Sequence, residues 1–560
     1  MQNLALKIFI AVALFSSPQL ISAQNRGIIL TNGVIWTGDA ARPFADTVVI
    51  SGDKILAVGS KVLKDRLLRS DPTGFTVKDL KKAFVMPGIN DAHIHFLGGS
   101  LAAFKVDLSE ATSLAQAQSM IKAFADANPS APWIVGFGWQ YSIFPADRLA
   151  LRQDLDAVVS GRPVYMTSYD GHSSWANTKA FQVSGIDEKT VFSGFGELVK
   201  DKDGRPSGMM KESASSLVGR NVPGVTKERQ LEALRSGQKR AAALGITSIQ
   251  NAHGSLPEVE LYDELLNRGE LTLRTSFAFS VGPTTTQKDI DTIAETSKRF
   301  DSDMLRVRAV KIVVDGVIES YTAAMLDPYS NKPETSGTPN YTQEQLNNVV
   351  AMADKAGLQV YIHAIGDRGV RMALDSFENV IRLNGRRDSR FRIEHIETIQ
   401  ASDILRFKKL GVIASMEPIH ADPDTVDVWS SNIGPDRTSR GFAWRALQNA
   451  GARLVFSSDY PAAISISPWR GLHNAVNRQT IKGTPVGGWY PEQRVTVSSA
   501  LSAYTSGGAY ASYTENVKGK LSAGMYADLI VLDRNPLTVP TSDLYKIEVI
   551  ETYLGGKKIH

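Results

Sequence analysis

The sequence contains no cysteine, which excludes disulfide bonds and any lipid attachment through a cysteine side chain. After its first residues it also lacks an apolar run of the ~20 residues that a membrane-spanning helix needs, so we predict no stable membrane span. Charge of one sign is not in large excess either, because the formal net charge is only +4 over 560 residues. Since no dense stripe of lysine and arginine is present, we predict no nucleic-acid partner.

What remains is the composition of an ordinary globular protein, with 43% hydrophobic and 21% charged residues. The length exceeds what one simple core supports, so we expect two or three structural units.

The first residues have the layout of a secretory signal. Lys7 precedes the apolar run Ile8 to Phe15, and small residues follow at Ser22 and Ala23. We therefore predict a signal peptide over residues 1–23, with an uncleaved anchor as the alternative. An export signal on a chain without cysteine suits a periplasmic or secreted protein.

The two ends of the chain contain short strand-like runs separated by turn residues such as Asn-Gly and Gly-Asp. We predict that residues 24–88 and 511–560 pair into one small β-sandwich domain. Between them, over residues 89–510, strand-like runs alternate with helix-like segments, which is the pattern of repeated βα units around a parallel sheet.

Eight candidate strands occur in this middle region, which predicts an α/β fold of the (β/α)₈ TIM barrel type with an active site at the carboxyl ends of its strands. The stretch of about 99–223 between the first two strands is too long for a loop and is predicted to be a large folded insertion. The strands are VMPGINDAHIH, GITSIQNAH, LTLRTSFAFS, RAVKIVVDG, LQVYIHAIGD, FRIEHIE, GVIASMEP and ARLVFSSDYP.

Polar side chains stand near the ends of several of these strands. Residues two apart on a strand share a face, so His93 and His95 can reach one ion. Four imidazoles and a carboxylate aimed at one axis form a site suited to Zn²⁺. The set is His93, His95, Lys311, His363, His395 and Asp459.

Each of these residues also has an ordinary structural explanation when taken alone. A His-x-His pair is often structural, and a single buried histidine such as His363 usually bonds a backbone carbonyl. Lys311 could extend its ammonium to solvent, and Asp459 could cap a helix. The joint arrangement is what favours a metal site.

The order of these motifs resembles the metal-dependent amidohydrolase superfamily, and most closely its family 3 branch, which includes N-substituted formamide deformylases. The resembling segments cover nearly the whole chain after the signal. They are VMPGINDAHIH, GFGWQ, DGHSSWANTKA, VKIVVDG, HAIGDR, IEHIE, SSDYP and GMYADLIVLD.

The resemblance implies a role for each residue of the set. His93 and His95 would bind a first metal, His363 and His395 a second, and a carboxylated Lys311 would bridge the two ions. Asp459 would bind the first metal and act as general base. The implied cofactor is Zn²⁺, as one or two ions, with Mn²⁺ or Fe²⁺ as alternatives.

The implied reaction is hydrolysis of a C–N amide-type bond in an N-acyl or N-formyl amine, a small-molecule amide. A metal-activated hydroxide attacks the carbonyl, and Asp459 transfers its proton to the leaving amine. The alternatives are an esterase, a lactonase or a cyclic-amide hydrolase on the same barrel, or a non-catalytic periplasmic binding protein. Oligomeric state, including a homo-oligomer, stays open.

Residues that contact the substrate are less clearly marked. His172, in DGHSSWANTKA, either stabilises an oxyanion or orders its loop. Trp139 and Trp175 either line an apolar pocket or pack in a core. Glu212 and Arg478 are candidates for polar pocket residues, and His253 for a residue that supports the ligands. His420 and His473 are not expected to bind metal.

Overall fold

The computed structural model describes residues 27–145 and 148–560. The predicted signal peptide, residues 1–23, lies outside the described residues. Within the described ranges no helix combines the length and apolarity needed to cross a bilayer.

An eight-stranded parallel sheet forms the centre of the molecule, and all eight predicted strands belong to it. Each strand pairs with the next one along the chain, so the sheet curls into a nearly closed barrel. The barrel prediction is therefore confirmed. In chain order, β1 to β8 are Ile89–Ile94, Ile246–Gly254, Arg274–Ser280, Leu305–Val313, Gln359–Ala364, Arg392–His395, Ile413–Met416 and Arg453–Phe456.

A helix follows every barrel strand and covers its outer face, as the alternating sequence pattern requires. Several of these helices begin with side-chain caps; Thr342 and Gln345, for example, form a capping box. After β1 and the insertion comes Lys227–Ala243. The helices after β2 to β8 are Leu256–Asn267, Gln287–Arg299, Gln343–Lys355, Asp367–Asn384, Ala401–Leu410, Val426–Thr438 with Trp444–Asn449, and Pro468–Asn477.

The two ends of the barrel sheet meet through the residues that follow β8. The Ser458 amide and hydroxyl donate to the buried Asp91 carboxylate at 3.0 and 2.6 Å. The Asp459 amide donates to the His93 carbonyl at 2.8 Å. These bonds bring the ends of β1 and β8 together and place Asp459 beside His93.

A second, six-stranded sheet lies within the stretch between β1 and β2. It has its own apolar core, which contains Trp139 and Trp175. Its strands are Val106–Asp107, Ile134–Trp139, Val164–Ser168, Ser173–Ala176, Gly196–Lys200 and Pro206–Glu212. Its helices are Leu114–Ala127, Arg152–Asp156, Thr178–Ser184 and Ser216–Gly219.

The two ends of the chain share a third sheet of eight strands. Phe84–Pro87 pairs antiparallel with Leu529–Leu532, so the carboxyl-terminal segment completes a sheet begun at the amino-terminal end. That this region forms a two-layered sandwich stays a prediction. The other strands are Gly27–Trp36, Phe44–Ser51, Lys54–Gly59, Phe75–Asp79, Val549–Leu554 and Lys557–Lys558. The remaining helices of the described chain include Lys61–Ser70, Phe96–Ser100, Val497–Ser502 and Gly508–Ala511.

Candidate active site

A cavity of about 630 Å³ opens at the carboxyl ends of the barrel strands, between the barrel and the insertion. All six residues of the predicted metal set line this cavity, although they come from five different strands or strand ends. His172 and Glu212 of the insertion face it from the other side. The topology therefore brings together side chains that are up to 366 residues apart, His93 and Asp459.

Three of the set form a compact group of possible metal ligands. His93, His395 and Asp459 each present one ligand atom, and these atoms lie within 4.8 Å of one another. His95 adjoins the group, with Nε2 3.0 Å from Asp459 Oδ1. His363 adjoins it on the other side, its ring centroid 4.4 Å from that of His395.

Two buried carboxylates fix the orientation of the central imidazoles. Glu394 Oε2 lies 2.6 Å from His93 Nδ1, and Glu417 Oε2 lies 2.9 Å from His395 Nδ1. With the proton held on Nδ1, the lone pair of each Nε2 is free for a metal. His93 Nε2 indeed faces Lys311 Nζ at 3.1 Å.

Glu394 is in turn held by Arg392, two residues earlier on β6. Arg392 Nε and Nη2 donate to the two oxygens of Glu394 at 2.9 Å each, and both side chains are fully buried. Arg392 also donates to Gln250 and Ser415 inside the barrel. A charged layer beneath the cavity thus sets the position of His93.

Several residues of the site have left-handed backbones, which are uncommon outside glycine. The φ angles are 73° at His395, 56° at Asp459 and 51° at Glu212. Such residues cost of order 1–3 kcal/mol each and concentrate at functional sites. Here the turn at His395 has a clear result, because it lets the consecutive residues Glu394 and His395 both project inward.

Burial of the ligand histidines and of Lys311 favours their uncharged forms. Burial lowers the pKa of His93, His363 and His395 well below the usual value, and the nearby Lys311 lowers it further. Burial also lowers the pKa of Lys311, although Glu394, Asp459 and Glu417 oppose the shift. Within the described residues, no carboxylate oxygen lies within 4 Å of the Lys311 ammonium, because the carboxylates of this region pair with the histidines.

Asp459 provides a direct test of whether the residues suit a metal ion. Its Oδ1 is buried and accepts no well-aligned hydrogen bond from the described residues, although His95 Nε2 and His93 Nε2 lie 3.0 and 3.4 Å away. Nitrogen and oxygen atoms that lie close together without well-aligned hydrogen bonds between them have the arrangement of ligands around a cation. The donor set therefore fits a borderline-soft divalent metal.

The insertion brings a second ionic pair to the cavity. His172 Nδ1 lies 2.8 Å from Glu212 Oε2, and the His172 amide donates to Asp170. Burial alone would lower the pKa of His172, but the carboxylates of Glu212 and Asp170 raise it to about 9. The ring of His172 is thus a hydrogen-bond donor held 5.3 Å, between ring centroids, from His363.

Trp139 and Trp175, for which the sequence leaves pocket lining and core packing open, lie in the core of the insertion. Both are fully buried, and their indole N–H groups donate to the Met166 and Leu151 carbonyls at 3.1 and 2.7 Å. Phe137 lines the cavity instead. The reason is local, because the strand register shifts between Gly136 and Trp139, where Gly138 has a φ of 87°.

Arg478 was also expected at the pocket, but the structure places it in the protein interior. It is fully buried, and its guanidinium donates to the Trp489 carbonyl at 2.5 Å and to the Phe442 carbonyl at 3.2 Å. It also stacks over the rings of Trp444 and Trp489. Arg478 therefore fastens two loops to each other and does not line the cavity.

The other histidines divide between the cavity and the interior. His253 is exposed at the rim, its ring centroid 6.1 Å from that of His95. His420 stacks against His395 at 5.9 Å and bonds the Ala462 carbonyl. His473 lies away from the site, where it bonds Thr480.

The orienting carboxylates are the functional residues that the sequence reasoning missed. Glu394 sits inside the IEHIE motif and Glu417 directly follows β7, so both stand at strand ends, where the ligands also lie. The available signal was an acidic residue at the carboxyl end of a barrel strand. Glu394 and His395 are consecutive residues, and consecutive side chains on a regular strand face opposite ways. A regular strand would therefore direct only one of the two into the barrel.

Similarity to known proteins agrees with this geometry. A family model described as "Amidohydrolase family" matches residues 76–560, which is most of the chain. The chain belongs to the amidohydrolase family. The resemblance seen in the sequence motifs is therefore confirmed.

Relatives of this amidohydrolase are similar over nearly its whole length. It is 30% identical to the protein LONG AFTER FAR-RED 3 of Arabidopsis thaliana over 95% of this chain and 91% of that one. It is 27% identical to an N-substituted formamide deformylase of Arthrobacter pascens, over 95% and 98% of the two chains. The crystal structure of an uncharacterized metal-dependent hydrolase from Pyrococcus horikoshii superimposes with a TM-score of 0.73 at 26% identity, covering 92% of this chain and 99% of that one.

Proposed function

We propose that this amidohydrolase is an exported, metal-dependent enzyme that cleaves the C–N bond of an N-acyl or N-formyl amine. The observation that carries the proposal is the convergence of His93, His395 and Asp459 ligand atoms within 4.8 Å inside a large cavity. Similarity to a formamide deformylase supports amides as the substrate class.

The metal would be held by the side chains that line the barrel mouth. Zn²⁺ suits a set of imidazoles with one carboxylate, as one or two ions, and Mn²⁺ or Fe²⁺ are the alternatives. When bound, such an ion supplies Lewis acidity that polarises a carbonyl and acidifies water. The proposed ligands are His93, His95, Lys311, His363, His395 and Asp459.

The surroundings of Lys311 support the proposal that it is carboxylated. Its amine is buried, its pKa is lowered, and it faces His93 Nε2 rather than a carboxylate. An uncharged amine can attack the carbon of CO₂ and release a proton, which turns a poor ligand into an anion with two oxygens.

Asp459 is placed to move protons during the reaction. Its Oδ1 projects among the ligand nitrogens, and its backbone is anchored to the His93 carbonyl. We propose that it accepts a proton from the attacking water and returns it to the departing amine. Its left-handed backbone and the bond to β1 would keep the carboxylate in one position throughout.

His172 is placed to bind the substrate carbonyl. Its protonated ring is fixed by Glu212, which also accepts a hydrogen bond from Thr322. Thr322 holds Glu212, and Glu212 holds the His172 ring. A hydrogen-bond donor fixed in this way can stabilise the negative charge that develops on the carbonyl oxygen. The apolar side chains that line the rest of the cavity would contact the acyl or amine group; they include Phe137, Phe195, Val281 and Val313.

The test uses the Zn²⁺- or Mn²⁺-loaded enzyme on matched pairs of N-formyl or N-acyl amines and the corresponding esters. The proposal predicts release of amine, and Asp459→Asn should lower kcat by about 10²–10⁴-fold while the protein keeps its metal. Asp424→Asn, at an exposed position, is the matched control. Turnover of the esters alone would identify an esterase. A metal-free protein without turnover would favour a binding protein.

Export is tested separately from chemistry. We expect the mature protein to begin after Ala23 when the full chain is expressed in a Gram-negative host and its amino terminus is measured by mass spectrometry. Protein that retains residues 1–23 in the cytoplasm would contradict export without affecting the proposed reaction.

A further inference from the structure

The opposite end of the barrel contains a small polar cavity of about 20 Å³ that the proposed reaction does not use. It lies at the amino ends of β3 and β4, where the segment before the last strands of the chain crosses beneath the barrel. Arg274 and Ser276 come from β3, Arg306 from β4, and Lys518 and Tyr526 from the crossing segment.

Lys518 is the residue that makes this cavity unusual. Its side chain faces the cavity while the residue is only 8% exposed. Among residues 27–145 and 148–560, the ammonium has no hydrogen-bond partner and no carboxylate within ion-pair distance. A buried ammonium without a partner is strongly unfavourable, so the site calls for an anion or for loss of the proton.

The nearby carboxylates are already engaged by other groups. Asp528 accepts two hydrogen bonds from Arg274, at 2.6 and 3.0 Å, and a third from the Gly555 amide. Asp303 accepts a hydrogen bond from the Tyr526 hydroxyl, and its Oδ1 lies 3.7 Å from Arg306 Nη2. Neither is free to pair with Lys518.

The charges around the cavity do not cancel. Arg274 pairs with Asp528 and Arg306 with Asp303, which leaves Lys518 as the cation of the described cavity lining without a carboxylate partner. Arg306 donates to the Ser302 carbonyl through Nε and one Nη. Arg306 and Ser276 both line the cavity.

We propose that this cavity binds one small monovalent inorganic anion, chloride in solution, between Lys518 and Arg306. The volume suits one ion of about the size of water, since a single water needs ~10–15 Å³ by this measure. Phosphate, sulfate and carboxylic acids are too large. One bound anion would also give the Lys518 ammonium the partner that it lacks.

The protonation of Lys518 would change when the anion binds. Burial lowers its pKa to about 7, with Asp528 opposing the shift and Arg274 and Arg306 adding to it. A bound anion would favour the charged amine. Because Lys518 belongs to the crossing segment and Arg306 to the barrel, the ion would also join the two units and stabilise the folded chain.

The test uses the full chain and does not require a substrate. Crystals soaked in bromide should show an anomalous peak between Lys518 Nζ and the Arg306 guanidinium. In solution, chloride or bromide at constant ionic strength should raise the unfolding midpoint by about 1–2 °C over gluconate. Lys518→Met should abolish the halide effect, whereas Lys520→Met, two residues away and outside the cavity lining, should keep it.

Absence of a bromide peak at Lys518 would overturn the proposal, because the cavity would then hold water beside a neutral amine. An equal halide effect in the wild-type protein and Lys518→Met would also overturn it. The crystal measurement uses the wild-type chain and so does not depend on the folding of any variant.

Discussion

Replacing Glu394 by glutamine removes the charge that holds His93 while keeping the size of the side chain. Glu394 accepts hydrogen bonds from Arg392 Nε and Nη2, at 2.9 Å each, and from His93 Nδ1 at 2.6 Å. Both oxygens of Glu394 accept hydrogen bonds, whereas the glutamine amide has only one oxygen. Whichever way the amide is turned, its NH₂ group therefore faces an N–H donor of Arg392 or His93. The less costly orientation keeps the oxygen towards His93 and turns NH₂ towards Arg392 Nε.

The size of the effect follows from burial. Arg392 and Glu394 are both fully buried, and removing one partner of such a pair costs about 3–5 kcal/mol because the other charge stays unpaired. Mutation of a group that orients a metal ligand lowers metal affinity by about 10–100-fold. We therefore expect Glu394→Gln to lose about 3 kcal/mol of unfolding free energy as apo-protein and to bind Zn²⁺ about 10–100-fold more weakly.

Affinity is measured by competition with a chelator, and stability by urea unfolding of the apo-proteins. Glu232→Gln is the control, because Glu232 is 62% exposed and its ion pair with Arg229, itself 50% exposed, spans 3.3 Å at the surface. The control should lose less than about 1 kcal/mol and keep its metal affinity. Wild-type Zn²⁺ affinity in Glu394→Gln would refute the role assigned to the Arg392–Glu394–His93 chain.

Three further predictions concern other parts of the molecule. Trp139→Phe should lower stability by about 1–3 kcal/mol, because the Met166 carbonyl loses its donor, and leave KM unchanged. Phe137→Ala should raise KM, because Phe137 lines the cavity. A raised KM in Trp139→Phe with unchanged stability in urea unfolding would instead place Trp139 in the pocket. Lys311→Ala should lower metal content by elemental analysis, with partial rescue of activity by small carboxylic acids; unchanged content would exclude a bridging role. In halide-free buffer the stability of the wild-type protein relative to Lys518→Met should rise between pH 7 and about 10, by up to about 1.4 kcal/mol per unit, since only the unfolded lysine holds its proton there; a flat difference in urea unfolding would contradict a depressed pKa.

Sequence patterns were sufficient for the barrel, because its strands are apolar runs separated by capped helices. They were also sufficient to bring His93, Lys311, His363 and Asp459 to one cavity, since the carboxyl ends of parallel strands share one rim.

Backbone irregularities set the limit of that reasoning. The bulge at Gly138 places Phe137 at the cavity and Trp139 in the core. The left-handed backbone at His395 lets Glu394 point inward beside it. Both depend on single φ angles that a count of alternating residues does not reveal. Arg478 was misplaced for another reason, because its partners are backbone carbonyls that carry no sequence signal.

The most direct test of the account is the position of the metal in crystals of the loaded, active enzyme. Anomalous scattering recorded at the absorption edge of the metal should give one or two peaks within about 2.0–2.3 Å of the proposed nitrogen and oxygen ligands. The expected ligands are His93, His95, Lys311, His363, His395 and Asp459. An active, metal-containing enzyme with no peak in contact with any of these side chains would contradict the account.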